Sequence, residues 1–345
     1  MRIFLLLIFA LLNTGLAAQI GGDHTYAFLN LTTSARAAAL GGKTIAVDDK
    51  DLNLSFHNPA LLKEDMGNRV LFNYVNYFTD INYGYTSYSF QNKKDINFAA
   101  GIQYMNYGEF QGADKFGMKT GTFKAADYAF HLMASKSIDT NVTVGITVKP
   151  LYSHLEEYHS IGLAADLGVS YTDTSGLFTA ALVLKNMGIQ LKPYHADTRE
   201  SLPFEIQLGF SLKLRHAPFR FITTIEHLET PNLRYPDPNA ENTTLYDANT
   251  QPQSTFDKNF DKLMRHMIFG VEFTPLKNFY LRVGYNYRKR KEMQVPSRPA
   301  TVGFSWGMGI KLFDFHLSYG SADYHLAGNT NHFSLRTDLN RLFSK

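Results

Sequence analysis

His154 and His159 bracket Glu156 and Glu157 in the stretch LYSHLEEYHS. Imidazoles and carboxylates this close can exchange protons, and beside a membrane such a group could serve a lipid-modifying or proteolytic site. The same four residues also suit a solvated rim. The chain carries twelve histidines but neither a Gly-x-Ser-x-Gly elbow nor a His-Glu-x-x-His pair, so the common nucleophile and zinc signatures are absent. Asp48, Asp49, Asp51 and Asn53 set oxygen atoms at close spacing, as a calcium loop does. They lack the glycine and terminal glutamate of an EF-hand cage, and a solvated turn is the competing reading. There is no cysteine, which removes a thiol nucleophile, a disulfide framework, Cys-ligated zinc and a lipoprotein anchor together. No catalytic residue, cofactor or metal ligand is assigned. The chain reads as noncatalytic.

The elements that must position these residues are strands. In Leu202–Leu214, LPFEIQLGFSLKL, the residues Phe204, Ile206, Leu208, Phe210, Leu212 and Leu214 fall on one face, and Glu205, Gln207, Gly209, Ser211 and Lys213 on the other. One face calls for an apolar medium and the other for water. Alternation over about eleven residues matches a tilted strand crossing a bilayer. The pattern recurs from Arg69 onward in about fourteen strands, from Arg69–Phe78 to Asn331–Leu339. The expected fold is all-β, a closed transmembrane antiparallel barrel. On these strands Glu205, Lys213, Glu272, Arg282 and Asn286 should face the lumen, where pairing offsets their desolvation.

Arg2, the apolar run Ile3–Leu12 and the small residues Gly15-Leu16-Ala17-Ala18 compose a secretory signal peptide over residues 1–18. Residues 19–68 are unlike the rest. TYAFLNLTTSARAAALGG and LNLSFHNPALL hold short Ala-rich, Gly-Gly and Asn-Pro elements, too irregular for spanning strands but too apolar for a disordered tail. They suit a plug or hatch inside a wide lumen, with a turn at Asn58, Pro59 and Ala60. Residues 69–345 form the barrel. An exported chain of many long alternating strands belongs in an outer membrane, in contact with its lipid. Net charge is only +3, with basic residues dispersed, so no nucleic-acid partner is expected.

Connections after even-numbered strands are short, and those after odd-numbered strands are longer: Gly108–Lys124, Ile189–Leu202, Thr230–Arg265, Lys289–Thr301 and Leu326–Thr330. Two odd connections, at Thr79–Asn82 and near His159, are short. This division places the long loops outside the cell. Thr230–Arg265 is the longest and the candidate loop for gripping a partner or surface polysaccharide, with Arg234, Tyr235, Tyr246 and Phe256 as its contact residues; an unengaged mobile loop is the competing reading. The basic run Arg288–Lys291 could meet anionic lipopolysaccharide or simply flank the membrane boundary.

TYAFLNLTTSARAAALGG, HNPALL, LFNYVNYFTDINYGYTSYSF and LPFEIQLGFSLKLRHAPFRF together resemble the PorQ family of outer-membrane barrels in type IX secretion, within the wider FadL- and PorV-like group. That resemblance spans nearly the whole mature chain. It implies a noncatalytic role in a cell-surface attachment complex with a PorZ-like surface protein, a PorU-like sortase and a PorV-like barrel, where cargo is joined to anionic lipopolysaccharide. The Asn-Pro-Ala turn alone is equally similar to FadL-type transporters of hydrophobic compounds, which is the alternative expectation.

Overall fold

The computed structural model describes residues 24–77, 81–91, 95–195, 198–234, 255–293, 301–325 and 328–343. The proposed signal peptide, Tyr235 and Tyr246 lie outside the described residues. Fourteen strands close one antiparallel barrel in sequence order, with the first paired to the last. They are β1 Arg69–Asn76, β2 Asn82–Ser89, β3 Ile96–Ala113, β4 Lys119–Ser137, β5 Val142–Leu155, β6 Tyr158–Thr172, β7 Phe178–Lys192, β8 Glu205–Lys213, β9 Phe219–Ile225, β10 Met267–Leu276, β11 Phe279–Asn286, β12 Phe304–Leu312, β13 Phe315–His325 and β14 Gly328–Asp338. Closure satisfies the edge strands, since Arg69 to Asn76 register with Asp338 to Asn331.

The period-two pattern sorts the side chains, but the polar face does not meet bulk water. Along β8, Glu205, Gln207 and Ser211 are buried, whereas Leu212 is exposed and Ile206, Leu208 and Phe210 are half-buried. The polar face looks onto a plug and the apolar face forms part of an outward belt with Phe98, Phe130, Leu167, Trp306 and Leu317, all exposed. Such a belt is stable only against hydrocarbon.

The plug, residues 24–68, is built from α1 Ala35–Ala39, α2 Leu52–Ser55 and three short 3-10 turns. Its apolar side chains supply half of the interior core. Leu52, Phe56, Leu62 and Met66 pack with Leu71, Tyr85, Ala99 and Met133 of the wall. Tyr26, Phe28 and Leu29 pack with Val75, Tyr83 and Leu151. The alanines of α1 let its backbone approach β12 and β13, and glycine receives it there. A Cβ on Gly320 would stand 2.3 Å from the Ala35 carbonyl oxygen, and one on Gly307 2.6 Å from the Ala39 Cβ.

The segment Gly108–Lys124, expected as a loop, is mostly strand. β3 and β4 run for 18 and 19 residues, about eight more than a crossing needs, which at ~3.3 Å per residue extends the hairpin about 26 Å along the strand, or roughly 20 Å past the membrane at a tilt of about 45°. Phe110 stacks on Phe123 at 5.3 Å, and Gln111 pairs with Thr122. With both faces solvated the hairpin shows no apolar alternation, so sequence periodicity did not reveal it. Two other expected loops also carry structure: α3 Thr255–Met264 lies within Thr230–Arg265, and α4 Tyr287–Met293 takes in the basic run. A last helix, α5 Leu339–Phe343, follows β14.

Candidate functional site: the ionic seam between plug and wall

Arg36 sits on α1 with its side chain only 5% exposed. Its Nη1 donates to Asp49 Oδ1 (2.9 Å) and Asp51 Oδ2 (3.0 Å), and its Nη2 to Asp49 Oδ2 (2.5 Å) and Glu272 Oε1 (2.8 Å). Glu272 projects inward from β10. Its Oε1 also accepts from Arg220 Nη1 at 3.1 Å, and its Oε2 from Arg282 Nε at 2.8 Å, directly across the β10–β11 pair. Asp51 Oδ1 reaches Arg336 Nη1 at 2.7 Å, while Asp49 Oδ2 also holds Arg220 at 2.9 Å. One plug arginine and two plug carboxylates are thus tied to four wall residues on β9, β10, β11 and β14.

Asp48, Asp49 and Asp51 are therefore neither a calcium loop nor a solvated turn. The arginines are close enough to neutralise them, and Asp48 contacts Lys63 (3.2 Å) and the Thr172 hydroxyl (2.9 Å). Burial alone would raise the Asp51 carboxyl, but Arg336 and Arg36 reverse that and hold it below the ordinary carboxylate range. Burial would raise the half-buried Asp49 too, but Arg36 and Arg220 hold it lower.

A second cluster lies further along the lumen. The Lys43 ammonium bridges Glu205 Oε1 (2.6 Å) and Glu226 Oε2 (2.7 Å), and Arg288 grips Glu226 Oε1 through Nε (3.0 Å) and Nη2 (2.9 Å). Burial would lower the Lys43 pKa, but Glu205 and Glu226 outweigh it and raise it. Glu205, Glu226 and His227 bring potential metal-ligand atoms within 4.8 Å of one another. The donor set does not suit a cation, because Lys43 already lies against both carboxylates. In a third cluster Lys149 pairs with Asp166 at 2.6 Å and donates to Asn186 Oδ1 at 2.9 Å.

The Asn58-Pro59-Ala60 turn is held by its own hydrogen bonds and seated against the wall. Asn58 Oδ1 accepts from Ala60 N and its Nδ2 donates to the Ile45 carbonyl, both at 2.9 Å. Pro59 opens the 3-10 turn Pro59–Leu61, where its missing N–H costs nothing. The wall is notched to receive it: a Cβ on Gly168 would lie 2.1 Å from Asn58 Oδ1, and one on Gly145 2.4 Å from the Pro59 carbonyl carbon.

Glu205, Glu272, Arg282 and Asn286 occupy the lumen as expected from their strand parity, and Asn286 donates to the Gly41 carbonyl. Lys213 does not join them. It is exposed at the short-turn end, where the plug no longer covers β8; its cross-strand neighbour Arg220 makes the plug contacts instead. Arg36, Lys43, Arg220, Glu226 and Arg336 were not singled out from sequence. Arg220 and Glu226 lie six residues apart, an even spacing that could have signalled a shared face; the two plug cations carried no periodic signal.

The other expectations resolve at the rim. His154 registers with His159 across a two-residue β5–β6 turn in which Glu156 takes a positive φ of 56°. All four polar residues are exposed, and His159 Nε2 contacts Lys192. In the long connection, Arg234 and Arg265 both donate to Asp261 Oδ2 at 2.9 Å, and Phe256, 75% exposed, stacks on Phe260.

No family model and no curated protein matches the chain. Among solved structures, the Ralstonia pickettii toluene transporter TbuX is similar over 90% of this chain and 100% of that one, at TM-score 0.54 and 12% identity. The TodX ΔS2S3 mutant monoaromatic hydrocarbon channel is similar over 88% and 97%, at TM-score 0.50 and 12% identity. These are transporters and channels, not enzymes. At such identity the likeness is one of fold: this chain shares with them a closed β-barrel, here of fourteen antiparallel strands and filled by its N-terminal segment.

Proposed function

We propose that the chain is a noncatalytic outer-membrane anchor whose long-loop end faces the cell exterior and holds a surface partner. Following the sequence resemblance, that partner is a PorZ-like protein within an attachment complex that includes a PorU-like sortase and a PorV-like barrel. The observation that carries this reading is the dense bonding between plug and wall. The plug is bound to the wall by buried ion pairs and glycine notches, and among the described residues each adjacent strand pair is hydrogen-bonded, with only short bulges. A scaffold gains from such bonding. The β3–β4 hairpin adds a raised surface with Phe116 and Met118 at its tip, 79% and 69% exposed. Brief cross-linking in the native outer membrane, mild extraction and mass spectrometry test the reading. Stoichiometric recovery of a surface protein linked to residues 108–124 or 230–265 is the expected result, and recovery of the barrel alone with bound apolar compound would overturn it.

The fold likeness to aromatic-hydrocarbon transporters favours a second reading, a FadL-like carrier of hydrophobic compounds. It requires the hatch at Asn58-Pro59-Ala60 to move. Uptake of an apolar probe into vesicles containing the purified barrel, abolished by cross-linking plug to wall, would establish it.

A further inference from the structure

We propose that the short-turn end of the lumen holds a binding site for one tetrahedral oxyanion of the phosphate class, centred on Arg282. The ionic seam contains four guanidinium groups, Arg36, Arg220, Arg282 and Arg336, against three carboxylates, Asp49, Asp51 and Glu272. One positive charge is left over in a buried setting. An uncompensated buried charge is costly, and a bound anion removes that cost.

Arg282 is the place where the excess is left without a partner. It gives Nε to Glu272, but its Nη1 is buried without a hydrogen-bond partner. The whole residue is 5% exposed. Its terminal nitrogens are turned toward Gly309 on β12: a Cβ there would lie 2.8 Å from Nη1, 3.2 Å from Nη2 and 3.2 Å from the Ser318 hydroxyl. Glycine therefore lets the guanidinium fork lie against β12 near the Ser318 hydroxyl, at the edge of an open space. That space is a cavity of about 110 Å³ lined also by Tyr280, Ser334 and Arg336, room for roughly three waters or one five-atom oxyanion. The Asp49 and Asp51 oxygens that also line it are held by arginines, so they do not repel an incoming anion at full strength. A planar fork beside hydroxyl donors matches phosphate or sulfate geometry better than a spherical halide.

An entry path exists from the rim. A second cavity of about 220 Å³ shares Asp49, His316 and Arg336 with the first and reaches the strand ends at Arg69 and Lys311 and the helix α5 at Arg341. Its lining holds five cationic side chains against three carboxylates, a bias that draws anions inward. The apolar groove on the outer side of the same wall, lined by Met308, Ile310 and Leu317, offers no route through. There Gly309 registers with Ser318 and Ser318 with Ser334, so the strands are paired without a break.

The test uses the full-length barrel purified in detergent and exchanged into chloride. Isothermal titration with inorganic phosphate, at ionic strength matched with chloride, should show saturable binding of one anion per chain. Arg282→Gln should weaken it at least about tenfold, the loss of a charge-assisted donor pair. Gly309→Ala keeps every charge and should weaken it similarly by displacing the guanidinium fork, which its Cβ would meet at 2.8 Å. Heat-modifiable gel migration establishes that each variant is folded, and Gly309→Ala decides the matter if Arg282→Gln does not fold. Phosphorus analysis of the barrel as isolated separates the sources: phosphate removed by chloride exchange identifies a free anion, and phosphate retained with acyl chains identifies a lipid headgroup. No saturable binding by the parent protein, or both variants binding as it does, would overturn the proposal.

Discussion

Glu272 is the residue on which plug and wall most depend, and its replacement by glutamine tests that dependence with almost no change of shape. The side chain is 3% exposed and accepts from Arg36 and Arg220 at Oε1 (2.8 and 3.1 Å) and from Arg282 at Oε2 (2.8 Å). Glutamine keeps one acceptor oxygen but turns the other into a donor facing a guanidinium group. Charge-assisted hydrogen bonds contribute about 1.5–3 kcal/mol each against about 1 kcal/mol for neutral ones. With two or three bonds weakened, and four arginines left against Asp49 and Asp51 alone, the loss comes to roughly 3–5 kcal/mol, the range for breaking one side of a buried ion pair.

That energy should appear first at the plug, because the wall retains its backbone ladder. The assay is limited proteolysis of the folded barrel in detergent, scoring cleavage within residues 24–68, together with the urea midpoint followed by heat-modifiable migration. Glu272→Gln should open the plug to protease while the barrel still migrates as folded. Pairing it with Arg282→Met should restore part of the loss, since one of the unmatched cations is then gone. Plug protection and urea midpoint both unchanged by Glu272→Gln would refute the claim that these ion pairs hold the plug.

Gly168→Ala should unseat the plug turn, since its Cβ would meet Asn58 Oδ1 at 2.1 Å; overpacking of this kind costs about 1–3 kcal/mol, read as a lower urea midpoint. Asn58→Ala removes the cap on Ala60 and the bond to Ile45 and should cost about 1–2 kcal/mol in the same assay. Plug protection should also depend on pH with a defined sign. Asp49 and Asp51 are held below their ordinary values, so their contribution is complete above about pH 4 and is lost as pH falls through the depressed values. Lys43 is held above its ordinary value, so its contribution is complete below about pH 10.5 and is lost as pH rises through the raised one. Proteolysis with enzymes active at each extreme should therefore show a plateau between these limits.

The barrel was legible because membrane crossing imposes one periodicity on every strand. Glu205, Glu272 and Arg282 could be placed in the lumen from parity alone, with no knowledge of what they would touch. Their partners could not. Arg36 lies in an alanine-rich stretch and Lys43 follows two glycines, and nothing in either spacing identifies a residue about 160 or 240 positions away as its counterion. The β3–β4 hairpin was missed for the opposite reason. Beyond the bilayer no face of it needs to be apolar, so the signal that marks a crossing strand disappears while the backbone pairing continues.

Lys213 shows where parity stops being informative. It shares its face with Glu205 and Gln207, yet only those two are buried. Parity specifies the inward direction, while the plug's extent specifies whether that direction is dry. The charged residues of the seam are inward on strands β9 to β11 and β14 and also level with the plug, and both conditions are needed to bury a charge and pair it. A plug that left this level would expose Glu272 and its arginines to water, where such pairs contribute little. The buried seam therefore stabilises the plugged state specifically, and that coupling makes the interior a structural joint in either functional reading.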